Sequence, residues 1–324
     1  MPRKKAAPIE EEQTPVIAEE PQEESAPVLS DRQQFFSLDF NAIDRDLTAE
    51  EHDEWNAIYA SYRGRSVLSG KVIGIDRYTL PTRSGESDDE TQSEMFCAIV
   101  IPYRVRIIIP ATEMWYDDHI PPDFVFRSMV GANINFIITR VEREAGFALA
   151  SRKAAMRNQR YYFARRPALN SAGAKIKCSV LAVGARRCTI ECYGHDIDIT
   201  QRDLSYTAIA DLRTAYRPGD ELDCIVKSYD AENDKLTVSV KETKSNPYDG
   251  AIFRHPIGSR RQAVISGKYG GGVFCNLPDG TVCMCNYSYQ YSDADFKTGD
   301  TVVLLVHRYD DEKKQMYGKI VSKW

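Results

Sequence analysis

The sequence predicts an all-β protein assembled from three copies of one small five-stranded unit, and three observations carry that expectation. One pattern recurs: Gly131 to Lys153, Gly219 to Lys241 and Gly299 to Val321 each open on a glycine, run into a strand, turn through a polar tip and return as a second strand. In the middle copy Leu222, Cys224 and Val226 alternate with polar residues before the tip at Asp230 to Asp234, and Leu236, Val238 and Val240 follow it. Alternation on both sides of a polar turn is the signature of a hairpin with one buried face. Finally, 324 residues at 43% hydrophobic content allow two or three domains, with glycine and β-branched runs dominating the middle and end.

In chain order, residues 1–34 are rich in Glu, Pro, Ala and Gln without periodicity, and they read as a disordered acidic tail. A helical segment over 35–65 follows. Thr48-Ala-Glu-Glu51 is a capping box, Trp55, Ile58, Tyr59 and Tyr62 share a helical face, and Gly64 ends the helix. The ring stripe is expected to pack on the first unit.

The first unit, 66–153, starts with the glycine-broken strand Val67 to Ile75. A polar excursion at 77–94 interrupts it and reads as a long flexible hairpin loop. Strands at Met95 to Ile101 and Val105 to Ile109 follow, then the turn Pro110 to Met114 and the closing hairpin. A basic linker over 154–172 is predicted as a short helix that stops before Pro167. The second unit covers 173–243, a proline-bearing linker 244–257, and the third unit 258–324.

The formal net charge of −5 argues against a polyanion partner only until it is divided along the chain. Residues 1–34 hold four basic and eight acidic side chains, whereas residues 152–187 hold ten Lys/Arg and no Asp/Glu. The local field is the better guide. Arg157, Arg160, Arg165 and Arg166 lie among Tyr161, Tyr162 and Phe163 in the linker helix. Two readings stand: a connector whose rings tuck against a neighbouring barrel, or a charged seam for a phosphate backbone.

The eight cysteines sit mostly in strands and lack zinc-knuckle spacing, so they read as small buried hydrophobes in a reducing cytosol. No apolar run is long enough for a membrane span, and the first residues lack the apolar core of a secretory signal. Gly270-Gly-Gly272 lacks the Gly-Lys-Ser/Thr of a phosphate loop, and five scattered histidines have no metal spacing. Neither a catalytic site nor a cofactor or metal is expected.

Five strands in this order, with a short helix before the closing hairpin, suit a small Greek-key barrel of OB type. The details resemble the S1 RNA-binding repeat. In the third unit Gly271-Gly-Val-Phe274, then Asn276-Leu277 and the turn Pro278-Asp-Gly280, resemble the family's aromatic-Gly-Ala-aromatic run, with only the second aromatic in register. Tyr269 and Lys268 lie just upstream, and the family's histidine at the end of the third strand falls on Asn286. In the first unit Ile107 to Met114 and Ala150 to Lys153 are similar to the family's third and closing strands.

The resemblance implies single-stranded RNA or mRNA as partner, with the small ribosomal subunit as a further one. It implies an exposed face carrying Phe96, Tyr103, Arg104 and Arg106 in the first unit, and Lys268, Tyr269, Phe274 and Asn286 in the third. The second unit offers Arg186 and Arg187 where rings are expected, and its short turn carries Tyr193 and the further candidate His195. Val273 and Phe274 point to opposite sides of the sheet, and the resemblance puts Phe274 outside. A protein-binding scaffold and an accessory factor acting on a mobile element's nucleic acid remain open as alternative roles.

Overall fold

The computed structural model describes residues 49–83, 90–101, 105–117, 123–287 and 291–323. The acidic tail and the Thr48 end of the capping box lie outside them. Helix α1 (Ala49–Gly64) buries Trp55, Ile58 and Ser61. It packs on the first unit at β4 (Asn133–Glu142). Ser61 is the unanticipated contact: its hydroxyl accepts from Ile138 N–H at 3.1 Å and donates to Ser66 O at 2.7 Å.

The first unit is a closed barrel. Its strands β1 (Leu68–Arg83), β2 (Glu90–Val100), β3 (Arg106–Pro110), β4 and β5 (Phe147–Ser151) lie in the order β1-β2-β3-β5-β4. Strands β3 and β5 pair in parallel and the other neighbours antiparallel. Helix α2 (Asp123–Arg127) lies between β3 and β4. Within the 77–94 excursion, residues 77–83 and 90–94 pair as a ribbon instead of forming a loop, from Arg77 with Phe96 outward to Arg83 with Glu90, and 84–89 lie outside the described residues. A mostly polar sequence still forms a ribbon here, because the two arms satisfy each other's backbone groups.

Helix α3 (Arg152–Ala164) follows directly, capped by Ser151, whose hydroxyl accepts from Ala154 N–H. The short α4 (Pro167–Asn170) leads into the second unit. Its strands β6 (Lys175–Val183), β7 (Arg187–Cys192), β8 (His195–Thr200), β9 (Glu221–Asp230) and β10 (Lys235–Ser239) lie in the order β10-β9-β6-β7-β8. This is the first unit's order with one seam open, since no ladder joins β8 to β10. Helix α5 (Gln201–Leu204) meets the end of β10 there, where Val240 N–H donates to Asp203 O at 2.8 Å.

After helix α6 (Ala251–Arg254), the third unit is again a closed barrel. Its strands are β11 (Arg260–Tyr269), β12 (Gly272–Asn276), β13 (Val282–Asn286), β14 (Thr301–Asp310) and β15 (Gln315–Lys323), with the parallel pair formed by β13 and β15.

Each unit carries two β-bulges at equivalent places. The first strand slips at Val72/Gly74, Val180/Ala182 and Ile265/Gly267, and the fourth at Ile138/Arg140, Val226/Ser228 and Val306/Arg308. A bulge sharpens strand twist, so the pair marks where each sheet bends towards closure. These positions also give the three units a common residue-by-residue frame.

The cysteines are buried as expected, but not all are free. Cys178 and Cys192, with Cα atoms 4.7 Å apart on adjacent strands, form a disulfide inside the second unit. Their separation suits a bridge. The 244–257 linker is pinned to the third unit: Tyr309 Oη donates to Ala251 O and His255 O, and Thr281 Oγ1 donates to Pro247 O.

Candidate nucleic-acid interface

In the third unit the register lines up one row of residues across all five strands. Gly267 pairs with Phe274, Phe274 with Met284, Met284 with Tyr317, and Tyr317 with Arg308. Their strand neighbours Val273, Cys275, Cys283, Cys285, Met316 and Gly318 are buried, so alternation turns this row outward. Phe274, Met284 and Tyr317 are half-exposed, and the Arg308 guanidinium lies 4.3 Å from the Tyr317 ring centroid. Gly267, opposite Phe274, leaves that ring uncovered on its β11 side.

Tyr269 extends the face. Its ring sits 5.1 Å from Phe274 at 48°, and its hydroxyl donates to Asn286 Oδ1 at 2.9 Å. It can lie there because position 272 is glycine: a Cβ would collide with Cys285 O and stand 2.7 Å from the Tyr269 hydroxyl oxygen. Burial first, and then the nearby cysteines, push the Tyr269 phenol above its ordinary value. Lys268 Nζ is held at the edge by Asp293 O at 2.6 Å and Asp293 Oδ2 at 3.1 Å.

The same frame identifies what the other units offer. At these positions the first has Ile99, Ile108, Leu149 and Arg140, aliphatic where the third is aromatic, and Ile108 is buried and presents no surface. The second has Thr189, Asp198, Thr237 and Ser228. There Thr189 Oγ1 donates to Asp198 Oδ1 at 2.7 Å, so a carboxylate replaces the ring system.

No family model matches the chain. Two curated relatives do: the small ribosomal subunit protein bS1 of Chlamydia trachomatis serovar D, 29% identical, and that of Chlamydia muridarum, 28% identical, each over 115 residues. Over a third of its length the chain is homologous to ribosomal protein bS1. The match spans 33% of the chain and 20% of each relative.

Among solved structures, a multidomain protein with nucleic acid binding domains from Streptococcus pneumoniae is 11% identical, with a TM-score of 0.20 over 79% of this chain and 73% of its own. A complex of a/eIF2alpha, aDim2p and rRNA from Pyrococcus horikoshii is 10% identical, with a TM-score of 0.21 over 26% of this chain and 51% of its own.

In the first S1-like unit Tyr103 and Arg104 fall outside the described residues. Phe96 lies on the outer ribbon between two guanidiniums, Arg77 at 4.7 Å and Arg127 at 5.6 Å from its centroid. It therefore stands apart from the row that Phe274 occupies. Arg106 is exposed on β3 opposite Phe147.

The linker helix buries some of its aromatic and basic residues and exposes others. Phe163 is buried in the second unit's core, as a connector requires. Tyr161 and Tyr162 are 59% and 43% exposed and carry Arg165 and Arg166 at 3.9 and 4.1 Å from their centroids. Arg157 is exposed. Arg160 is turned inward: its Nε donates to Gly194 O at 2.8 Å, and its guanidinium lies 3.6 Å from the Tyr116 centroid.

His195 is a correction. It is 3% exposed, with Nε2 2.8 Å from Asp234 Oδ1 and Nδ1 3.2 Å from Cys192 O, and it meets no nucleic acid. The turn Tyr193-Gly194 is covered by α3, which approaches so closely that a Cβ at Gly194 would stand 2.5 Å from Met156 O. Asp234 in turn accepts from Tyr229 and Arg160. Arg186 and Arg187 are exposed at the β6–β7 turn.

Met284, Tyr317 and Arg308 are the residues that reading the sequence missed. Alternation on β13 and β15 already turns them outward. Their alignment with Phe274 depends on the parallel β13–β15 pairing, which no local pattern encodes.

Proposed function

We propose that the chain is a non-enzymatic binder of single-stranded RNA, acting in translation by holding mRNA at the small ribosomal subunit. The row Phe274, Met284, Tyr317 and Arg308, flanked by Tyr269, carries this reading. Exposed rings stack unpaired bases at about 1–3 kcal/mol each and accept any base, because every base has a π face. A duplex buries those faces in its own stack and gains little from such a surface.

The curated relatives are small ribosomal subunit proteins, which favours mRNA and the ribosome over other single strands. Tandem linkage adds to this. One ring face binds feebly, whereas linked repeats make later contacts intramolecular and raise the effective concentration. The first and second repeats then add charge and span more than stacking.

A titration of the full chain with labelled unstructured RNA, duplex RNA and single-stranded DNA, repeated over a range of salt, tests the proposal. RNA binding that prefers single strands and weakens in Phe274→Ala supports it. Equal affinity for duplex, or no binding at low salt, removes it.

A further inference from the structure

We infer that the groove between the second and third repeats is a track for the phosphate backbone of the strand whose bases stack on the third repeat, so that the second repeat contributes charge in place of rings. The inference rests on the single-stranded RNA reading above and specifies how that site is shared.

The groove has a volume of about 1220 Å³. Enclosed small-molecule sites usually span about 300–1000 Å³, so its size suits a length of polymer. Six Lys/Arg side chains line it and, among the described residues, no Asp or Glu does. Arg186 and Arg202 come from the second repeat, and Lys241 follows β10. Lys268 and Phe274 line its third-repeat wall, so the groove runs into the ring face without a break.

Charge compensation differs between the walls. Lys268 and Lys314 are already paired, with Asp293 and Asp249. Among the described residues, no carboxylate stands within ion-pair distance of Arg186, Arg202 or Lys241, while Lys241 Nζ lies 5.6 Å from the Tyr206 centroid. An uncompensated cation wall beside a stacking face is what a flexible polyanion requires: charge along its backbone and apolar surface for its bases.

The walls are also held in place. Asn276 Nδ2 donates to Ala208 O at 2.6 Å and Thr207 Oγ1 to Gly280 O at 3.1 Å, which joins the two repeats directly. The groove therefore exists before the strand arrives, and little ordering cost falls on binding.

The test compares the full wild-type chain with the triple variant Arg186→Gln, Arg202→Gln, Lys241→Gln, using labelled oligouridylate of about four and about sixteen nucleotides, the limits of a single OB-fold site. For the longer strand, the slope of log affinity against log salt should fall by about 2, at about 0.7 for each phosphate that is no longer neutralised. The shorter strand, able to occupy the ring face alone, should change little. A control carrying Arg186→Lys and Arg202→Lys should keep the wild-type slope.

A wild-type slope in the triple variant with the longer strand overturns the groove. If Phe274→Ala still loses affinity in that case, the ring-face reading stands and only the track is lost. If the wild-type chain binds neither strand, the underlying reading has failed as well.

Discussion

Arg152 Nη2 lies 2.6 Å from Glu191 Oε2, and both side chains are buried. The same guanidinium donates to Asp196 on β8 and to Met114 O of the first repeat. One side chain thus ties the exit of the first repeat to two strands of the second. Removing it leaves two carboxylates without their counter-charge, Glu191 buried and Asp196 partly so. Arg152→Ala is expected to lower unfolding stability by about 3–5 kcal/mol, read from urea midpoints. A loss below about 1 kcal/mol, the range of an exposed ion pair, would mean that water enters this junction freely.

The register frame predicts unequal repeats. Phe274→Ala and Tyr317→Ala should each weaken single-stranded RNA binding by about 1–3 kcal/mol, roughly fivefold to 150-fold. Thr237→Ala, at the place in the second repeat that Tyr317 holds in the third, should leave affinity within about twofold, since a threonine hydroxyl offers no stacking surface. Fluorescence anisotropy at fixed salt checks both. Equal losses at the two positions would show that the ring row is not the contact.

Much of this was legible from local pattern. Gly219 to Lys241 announced its hairpin because Leu222, Cys224 and Val226 alternate, and Pro167 marked the end of the linker helix. What escaped depends on contacts distant in sequence. His195 looked like an exposed turn residue, and only α3 packing over Gly194 buries it. The Cys178–Cys192 bridge needs the β6–β7 register, and the outward row needs β13 beside β15. The paired arms at 77–83 and 90–94 are mostly polar, so their pairing left little hydrophobic signal in the sequence.

Gly272 makes a separate test of the ring face. In Gly272→Ala the new methyl meets Cys285 O and the Tyr269 hydroxyl, and either the β12–β13 pair opens or Tyr269 leaves its place. Crowding of this kind costs about 1–3 kcal/mol. The variant should unfold at lower urea and also bind single-stranded RNA less well. Unchanged stability together with unchanged affinity would show that Tyr269 does not rest across Gly272 in solution.

Acid should loosen the junction between the 244–257 linker and the third repeat. Burial alone would raise the Asp279 carboxyl, but hydrogen bonds from Arg254, His255 and Thr281 outweigh it and hold the group well below its ordinary value of 3.8. The unfolded chain therefore binds this proton more readily than the folded one, so the contribution to stability is complete above about pH 4 and is lost as pH falls towards the folded value. Asp279→Asn should cost about 1–3 kcal/mol at neutral pH, and its deficit against wild type should shrink below about pH 4. Urea midpoints measured between about pH 7 and pH 2 decide the matter. Parallel curves for the two proteins would mean that Asp279 titrates as it does in an unfolded chain, and that the turn at Pro278-Asp279-Gly280 does not anchor the linker.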